Sequence, residues 1–275
     1  MTTNSGAVAT GLPALTIDTD AIRLSASLVP WDTESFGIRV AQVDRIQVGE
    51  FRQAEADLRP LRDWLAHHGM QLASCRLNHG CLRESFVLEA IGFRFVEMVY
   101  AMEIDVGPEF AAAADAPGLH WRMASQEDLA LLSHIAASAF VTGRWTVDWR
   151  VGEELAGKRY ADWVRRSLHN PRHDVLVAVY DGEIAGFFVV EVKQQGSAYW
   201  HLTAVAPEFR GRGVGRAMWR SMVGRHAMAG LSCVRTTIAA RNLPVVNLYA
   251  KLGWRYVACQ MTFHWVDPTW ERGIT

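Results

Sequence analysis

Residues 197–220 constrain this chain more than any other stretch. Tyr199-Trp200-His201-Leu202-Thr203-Ala204-Val205 has the aromatic and β-branched content of a strand. Pro207 ends it, because proline has no N–H for a ladder. Arg210-Gly211-Arg212-Gly213-Val214-Gly215-Arg216 follows. Val214, Ala217, Met218, Ser221 and Met222 then recur at the spacing of a helix with one face in a core. The order is strand, glycine-rich turn, helix. Three glycines in five residues allow φ > 0 and a close approach of backbone to ligand. The first N–H groups of the helix lack intrahelical acceptors and carry partial positive charge, so anions bind there. Arg210, Arg212 and Arg216 add full charges. The turn reads as a cradle for a pyrophosphate.

Two familiar phosphate loops do not fit. A P-loop needs Lys and then Ser or Thr after its last glycine, and Arg216-Ala217 stands there. The dinucleotide fingerprint needs G-x-G-x-x-G, whereas Gly211, Gly213 and Gly215 are spaced G-x-G-x-G. A net charge of −1 argues against nucleic acid as a partner, so the arginines of the turn act locally. No run of 18 apolar residues suggests a membrane span, and no signal peptide is recognisable. Cys75, Cys81, Cys233 and Cys259 have no metal-binding spacing, and no His/Cys/Asp cluster suggests a metal. Unpaired thiols suit a reducing cytoplasm.

Residues 1–16 read as a disordered tail. Residues 17–106 read as a first domain. Strands lie within 20–48, interrupted by a turn, Pro30–Gly37, anchored by Trp31 and Phe36. A helix from Phe51 to His68 is weakened in its middle by Pro60. Gln71–Arg76 is a strand, Leu82–Ile91 a helix capped by Gly92, and Phe93–Ile104 extended. Gly107–Gly118, small residues with Pro and Gly at both ends, reads as a linker. The second domain, 119–275, starts with a strand, a Ser125–Asp128 cap and a helix. A loop and helix occupy 141–170. Strands at Val175–Tyr180 and Ile184–Val192 are joined by Asp181-Gly182, a hairpin signal. After the central turn come a strand at Val234–Ala239, a helix at Pro244–Leu252, and a closing hairpin or strand pair over Trp254–Val266.

Arg241-Asn242-Leu243-Pro244-Val245-Val246-Asn247-Leu248-Tyr249-Ala250-Lys251-Leu252-Gly253-Trp254 supplies a second motif. It resembles the segment N-x-x-A-x-x-x-Y-x-K-x-G-F of the GNAT superfamily of acyl-CoA N-acyltransferases, with Val245 for Ala and Trp254 for Phe. Arg210–Gly215 resembles that family's R-x-x-G-x-G acyl-CoA loop. The resemblance covers 119–270. It implies a mixed α/β GNAT fold, a central, mostly antiparallel twisted sheet flanked by helices. It also implies acetyl-CoA as cosubstrate and no metal. The backbone around Leu202, Thr203 and Val205 would pair with the pantetheine arm. Arg210, Gly211, Arg212, Gly213, Val214, Gly215 and Arg216 would hold the pyrophosphate, and Asn242 would touch the CoA arm. Tyr249 would stand near the thioester sulfur as a general acid. Tyrosine, with a pKa of about 10, keeps its proton at neutral pH. On a helix it also fits the core. The base is left open among Glu191, His201 and the strand of His264, and a strand histidine is commonly only hydrogen-bonded.

Gly92-Phe93-Arg94-Phe95-Val96 echoes Gly253-Trp254-Arg255-Tyr256-Val257, each after a strand and a helix. The first domain thus reads as a partial GNAT-like lobe. It lacks a glycine-rich turn, and Leu88 stands where Tyr249 stands, so it should neither bind CoA nor catalyse. Trp31-Asp32-Thr33-Glu34-Ser35-Phe36-Gly37, Ser74–Leu77 and Gly92–Glu97 resemble nucleotide-amino-sugar acetyltransferases of the TDP-fucosamine type. That similarity implies a small amine acceptor. Trp145 and Trp149 are candidates to stack on it, although tryptophans near a helix also pack cores. An antibiotic, polyamine or protein amine, or non-catalytic CoA binding, are the other readings. A homodimer is an optional assembly.

Overall fold

The computed structural model describes residues 11–49, 57–193 and 195–270. The chain divides into two compact units, residues 1–96 with 261–275, and residues 97–260. The fold is mixed α/β, with a large, mostly antiparallel sheet flanked by helices.

The first unit contains β1 (Ala14–Asp18), β2 (Ile22–Leu28), α1 (Pro30–Phe36), β3 (Val40–Val48), α2 (Arg59–His67), β4 (Leu72–Asn78) and α3 (Leu82–Ala90). β2 is antiparallel to β1 and β3, and β4 runs parallel to β3. Ile22, Leu24, Val40, Leu61, Leu65, Leu72 and Leu88 fill its core. Several expectations change here. The tail read as disordered to residue 16 includes β1, pinned by pairing Ala14–Asp18 with Arg23–Ser27 and by burial of Ile17; residues 1–10 lie outside the described residues. The expected turn at Pro30 is a helix. Proline suits its first turn, and of its two aromatics only Phe36 is buried. Pro60 sits in the first turn of α2; Asp57 before it is helical too, so the expected weakening near Pro60 is a break at Leu58, and the start expected at Phe51 lies outside the described residues.

The second unit has the strand order β11-β5-β10-β9-β8-β7-β6. These are β5 (Arg94–Asp105), β6 (Leu119–Met123), β7 (Asp174–Tyr180), β8 (Glu183–Lys193), β9 (Ser197–Val205), β10 (Cys233–Ala239) and β11 (Arg255–Val266). Its helices are α4 (Leu129–Ala139), α5 (Arg144–Val147), α6 (Glu153–Leu168), α7 (Val214–Met228) and α8 (Leu243–Lys251). β5 starts in the first unit, and β11 ends in it. The hairpin is formed as expected, with Asp181 at φ 51° and Gly182 at φ 87°, the positive angles of a two-residue turn. β8 is central and buried from Ala185 to Glu191. The Ser125–Asp128 box caps a 3-10 turn leading into α4.

Two segments differ from their sequence reading. Residues 107–118 contain a 3-10 helix, Pro108–Ala113, and lie against α7 in the second unit. Ser221 Oγ donates to the Ala114 carbonyl at 2.5 Å, and any Cβ at Gly224 would strike the Ala113–Ala114 backbone. Small side chains there serve close packing on a helix. Trp254–Val266 is one twelve-residue strand, β11, instead of a hairpin.

Candidate active site

β9 is the centre of the site. It pairs in parallel with β10 only from Ser197↔Cys233 to Trp200↔Thr236. Beyond Thr236, β10 stays with β5 as far as Ala239↔Val99. On its other side, β9 stays paired with β8 to Val205↔Gly186, except that Val190 faces Trp200 and Val189 faces Leu202. His201 is therefore the extra residue of a bulge. Bulges add twist and bend a strand, and here β9 parts from β10 at that residue. The backbone from Leu202 to Val205 is left with an open edge towards β10.

The open edge leads into the glycine turn. Gly211 (φ +74°) and Gly213 (φ +81°) occupy the left-handed region and have nothing within 4 Å of an added Cβ. Gly215 has the ordinary helical sign, and its missing side chain keeps clear of Val205, whose Cγ2 would lie 3.2 Å from a Cβ. Gly213 caps α7 without a side-chain acceptor, so the amides of its first turn face outward. Arg210 Nε donates to the Val205 carbonyl at 3.1 Å, tying the turn to the strand end. Arg212 donates to the Glu208 carbonyl at 3.3 Å and covers Phe209. Arg212 and Arg216 are both exposed.

Tyr249 comes from α8 and is 0% exposed. Its ring meets Trp254 edge-on at 4.5 Å and Trp219 at 6.4 Å. The hydroxyl has no hydrogen-bond partner, nor do the indole N–H groups of Trp219 and Trp254. Thr203, Thr236 and Trp219 are near enough to influence the hydroxyl, but none meets it in bonding geometry. Burial pushes its pKa above the ordinary tyrosine value. Three buried, unpartnered polar hydrogens beside an open strand edge fit a polar ligand reaching in from the glycine turn.

Glu191, His201 and His173 are brought together. His201 Nε2 and a Glu191 carboxylate oxygen are 2.9 Å apart, and Lys193 binds the same carboxylate. The rings of His173 and His201 lie 4.7 Å apart, with Tyr199 and Trp163 around His201. Burial lowers the pKa of His201 against the pull of Glu191, and that of His173 to about 4. Burial works to raise Glu191, but bonds from Lys193 and His201 hold it below the usual carboxylate range. His173 was missed in the sequence. It sits in Asn170-Pro171-Arg172-His173, which carries no motif. The sequence also gave no sign of a His/Glu cluster, because its three members sit on separate segments.

The chain is similar to known proteins. Residues 138–254 match the family described as Acetyltransferase (GNAT) family. Over that span, a little under half of its length, the chain is similar to GNAT acetyltransferases. It is similar to a mycothiol acetyltransferase of Frankia casuarinae, 29% identical over 163 residues, covering 52% of this chain and 43% of that protein. The chain thus spans less than half the length of that relative. It is also similar to a putative [ribosomal protein bS18]-alanine N-acetyltransferase of Bacillus subtilis, 27% identical over 127 residues, 46% of this chain and 74% of that one. In fold it resembles a GCN5-related N-acetyltransferase of Sphaerobacter thermophilus, with a TM-score of 0.62 at 15% identity, covering 93% and 84% of the two chains.

Other residues singled out in the sequence are placed as follows. Asn242 caps α8, and its amide donates to the Ala239 carbonyl at 2.9 Å. Trp145 is 1% exposed, with the guanidinium of Arg144 4.1 Å over its ring and that of Arg159 at 5.9 Å. Its faces are taken by the protein, which leaves it a packing role. Trp149 is 82% exposed. His264 is buried on β11 in the first unit, whereas Glu191 and His201 belong to the second. Among the described residues, no helix is long and apolar enough to cross a membrane.

Proposed function

We propose that this chain transfers the acetyl group of acetyl-CoA to a primary amine of a small acceptor. The observation that carries this reading is the open edge of β9 ending on the glycine turn, with the unpartnered Tyr249 hydroxyl buried beside it. The residues present fit acetyl-CoA. Leu202, Thr203 and Val205 would pair with its amide-bearing arm. Arg210, Gly211, Arg212, Gly213, Val214, Gly215 and Arg216 would hold its pyrophosphate, and Asn242 would contact the arm. Bound there, acetyl-CoA supplies an activated acetyl thioester.

The chain's own groups would then move two protons. His201, neutral and oriented by Glu191, accepts one from the incoming amine. Tyr249, protonated throughout the physiological range, gives one to the departing sulfur. A free N–H on the β9 edge can donate to the oxygen on which negative charge develops. The acceptor we infer is a nucleotide-linked amino sugar, on the strength of Trp31–Gly37 and the matching segments of the first unit. Exposed Trp149 offers it an aromatic face. Residues 17–106 serve as a partial GNAT-like lobe, and four free cysteines suit a cytoplasmic setting. The test is CoA release over a panel of amines including TDP-amino sugars, antibiotics, polyamines and peptides. Release with an amino sugar supports the reading. Release only with a peptide moves the acceptor to a protein, and binding of CoA without release by any amine overturns the enzyme.

A further inference from the structure

We propose that His173, Glu191 and His201 form a binding site for a divalent transition-metal ion, zinc foremost, and that filling it shuts off acetyl transfer. The second half rests on His201 as the base; the first half stands without it. Two imidazoles and a carboxylate are a donor set suited to zinc, with water as a fourth ligand. One ligand atom from each residue lies within 4.8 Å of the others. Bonds of about 2.1 Å in a tetrahedron put ligand atoms about 3.4 Å apart. A side-chain adjustment of about 1 Å closes that difference.

The site is built as metal sites are. Glu191 comes from β8 and His201 from the bulge of β9, so the backbone fixes both. His173 stands just before β7, and its Nδ1 lies 3.1 Å from Ser167 Oγ. That contact orients the ring from behind, as a second layer does around a bound ion. Asn170 lies 3.4 Å from the other ring nitrogen, weakly enough to yield it. Metal ligands must be free of protons. Burial disfavours the charged form of both imidazoles, and Lys193 and His201 disfavour protonation of Glu191. His173 and His201 are part-exposed, so an ion can reach them. Lys193 competes for Glu191, but its side chain is 41% exposed and can swing into solvent. An ion on His201 Nε2, beside Glu191, moves the ring proton to Nδ1 and so removes the acceptor for the amine's proton.

The experiment is a titration of chelator-treated protein with Co2+, followed by its visible absorption, then displacement by Zn2+. We expect one equivalent to give the intense bands of a tetrahedral ion. His173→Ala and His173→Gln should weaken binding at least 100-fold with an unchanged circular dichroism spectrum. Lys193→Met should tighten it about tenfold. Zn2+ should inhibit CoA release in the wild type, reversibly with EDTA, and lose that effect in the His173 variants. Absence of a saturable tetrahedral signal in the wild type overturns the site, as does equal affinity in the His173 variants. Tetrahedral binding without inhibition keeps the site and overturns both the switch and His201 as the base.

Discussion

The two units contain the same crossover, built for different ends. In the first, β3 is antiparallel to β2 and parallel to β4, pairing from Val40↔Leu72 to Val43↔Cys75. In the second, β9 is antiparallel to β8 and parallel to β10, pairing from Ser197↔Cys233 to Trp200↔Thr236. Each parallel pairing stops at a bulge, at Asp44 in β3 and at His201 in β9. Each bulged residue bonds back to the neighbouring strand, Asp44 to Ser27 and His201 to Glu191, at equivalent register. Each crossover is followed by a helix ending near a left-handed glycine, Gly92 or Gly253. The backbone device is shared, so the splayed strand does not by itself make a site.

Chemistry separates them. Tyr249 and Leu88 hold matching places, both fully buried, four residues before the glycine. Thr203 and Thr236 influence the Tyr249 hydroxyl. The positions equivalent to them in the first unit are Ile46 and Cys75, which offer no hydroxyl. After β9 come three glycines and three arginines. After β3 comes Gly49 and then Glu50-Phe51-Arg52-Gln53-Ala54-Glu55-Ala56-Asp57, with a single glycine, one arginine and three acids in sequence.

Tyr249→Phe should break the contrast most directly. Turnover should fall about 100-fold or more, with CoA affinity nearly intact, since a positioned proton donor contributes about 10²–10⁴. Its counterpart Leu88→Ala should cost about 2–5 kcal/mol of stability in a denaturant melt, with turnover per folded molecule unchanged. A wild-type rate for Tyr249→Phe would erase the distinction between the lobes. Next in size is Gly213→Val. Open space surrounds Gly213, so the penalty is the left-handed backbone, about 1–2 kcal/mol. CoA affinity, by calorimetry, should drop at least about tenfold; unchanged affinity sinks the cradle.

Hydrogen exchange sharpens the comparison without mutation. Acetyl-CoA should slow exchange at 202–205 and 212–216 and leave 45–48 untouched. Equal protection in both lobes would mean two sites. The smallest effect concerns acid. Trp200 donates to His226 Nε2 at 2.9 Å, and burial holds His226 at about 4. Val43 replaces Trp200 in the first unit, so this bond has no equivalent there. A histidine depressed below its unfolded value of about 6.5 stabilises above that value and loses its contribution as pH falls towards 4. Urea melts should show about 2 kcal/mol lost at pH 5, and a flatter profile in His226→Gln. Acetyl transfer should persist below pH 6.5 for the parallel reason that His201 is also depressed.

The sequence by itself determined the strand, turn and helix at 197–220, the hairpin at Asp181-Gly182, the echo between the lobes and the candidates Arg210–Arg216, Asn242 and Tyr249. Those are local features, written in spacing, glycine placement and periodicity. It misjudged Pro30, the alanine-rich stretch at 107–118 and the span from Trp254 to Val266. In each, proline position, close packing or strand pairing overrode the local signal. Only the tertiary structure decided that β9 parts from β10 at His201, that Trp145 is sealed by two arginines, and that His173 joins Glu191 and His201. Those facts depend on which strand lies beside which, and burial sets their protonation. Side chains far apart in the chain acquire a joint chemistry only when the sheet places them together.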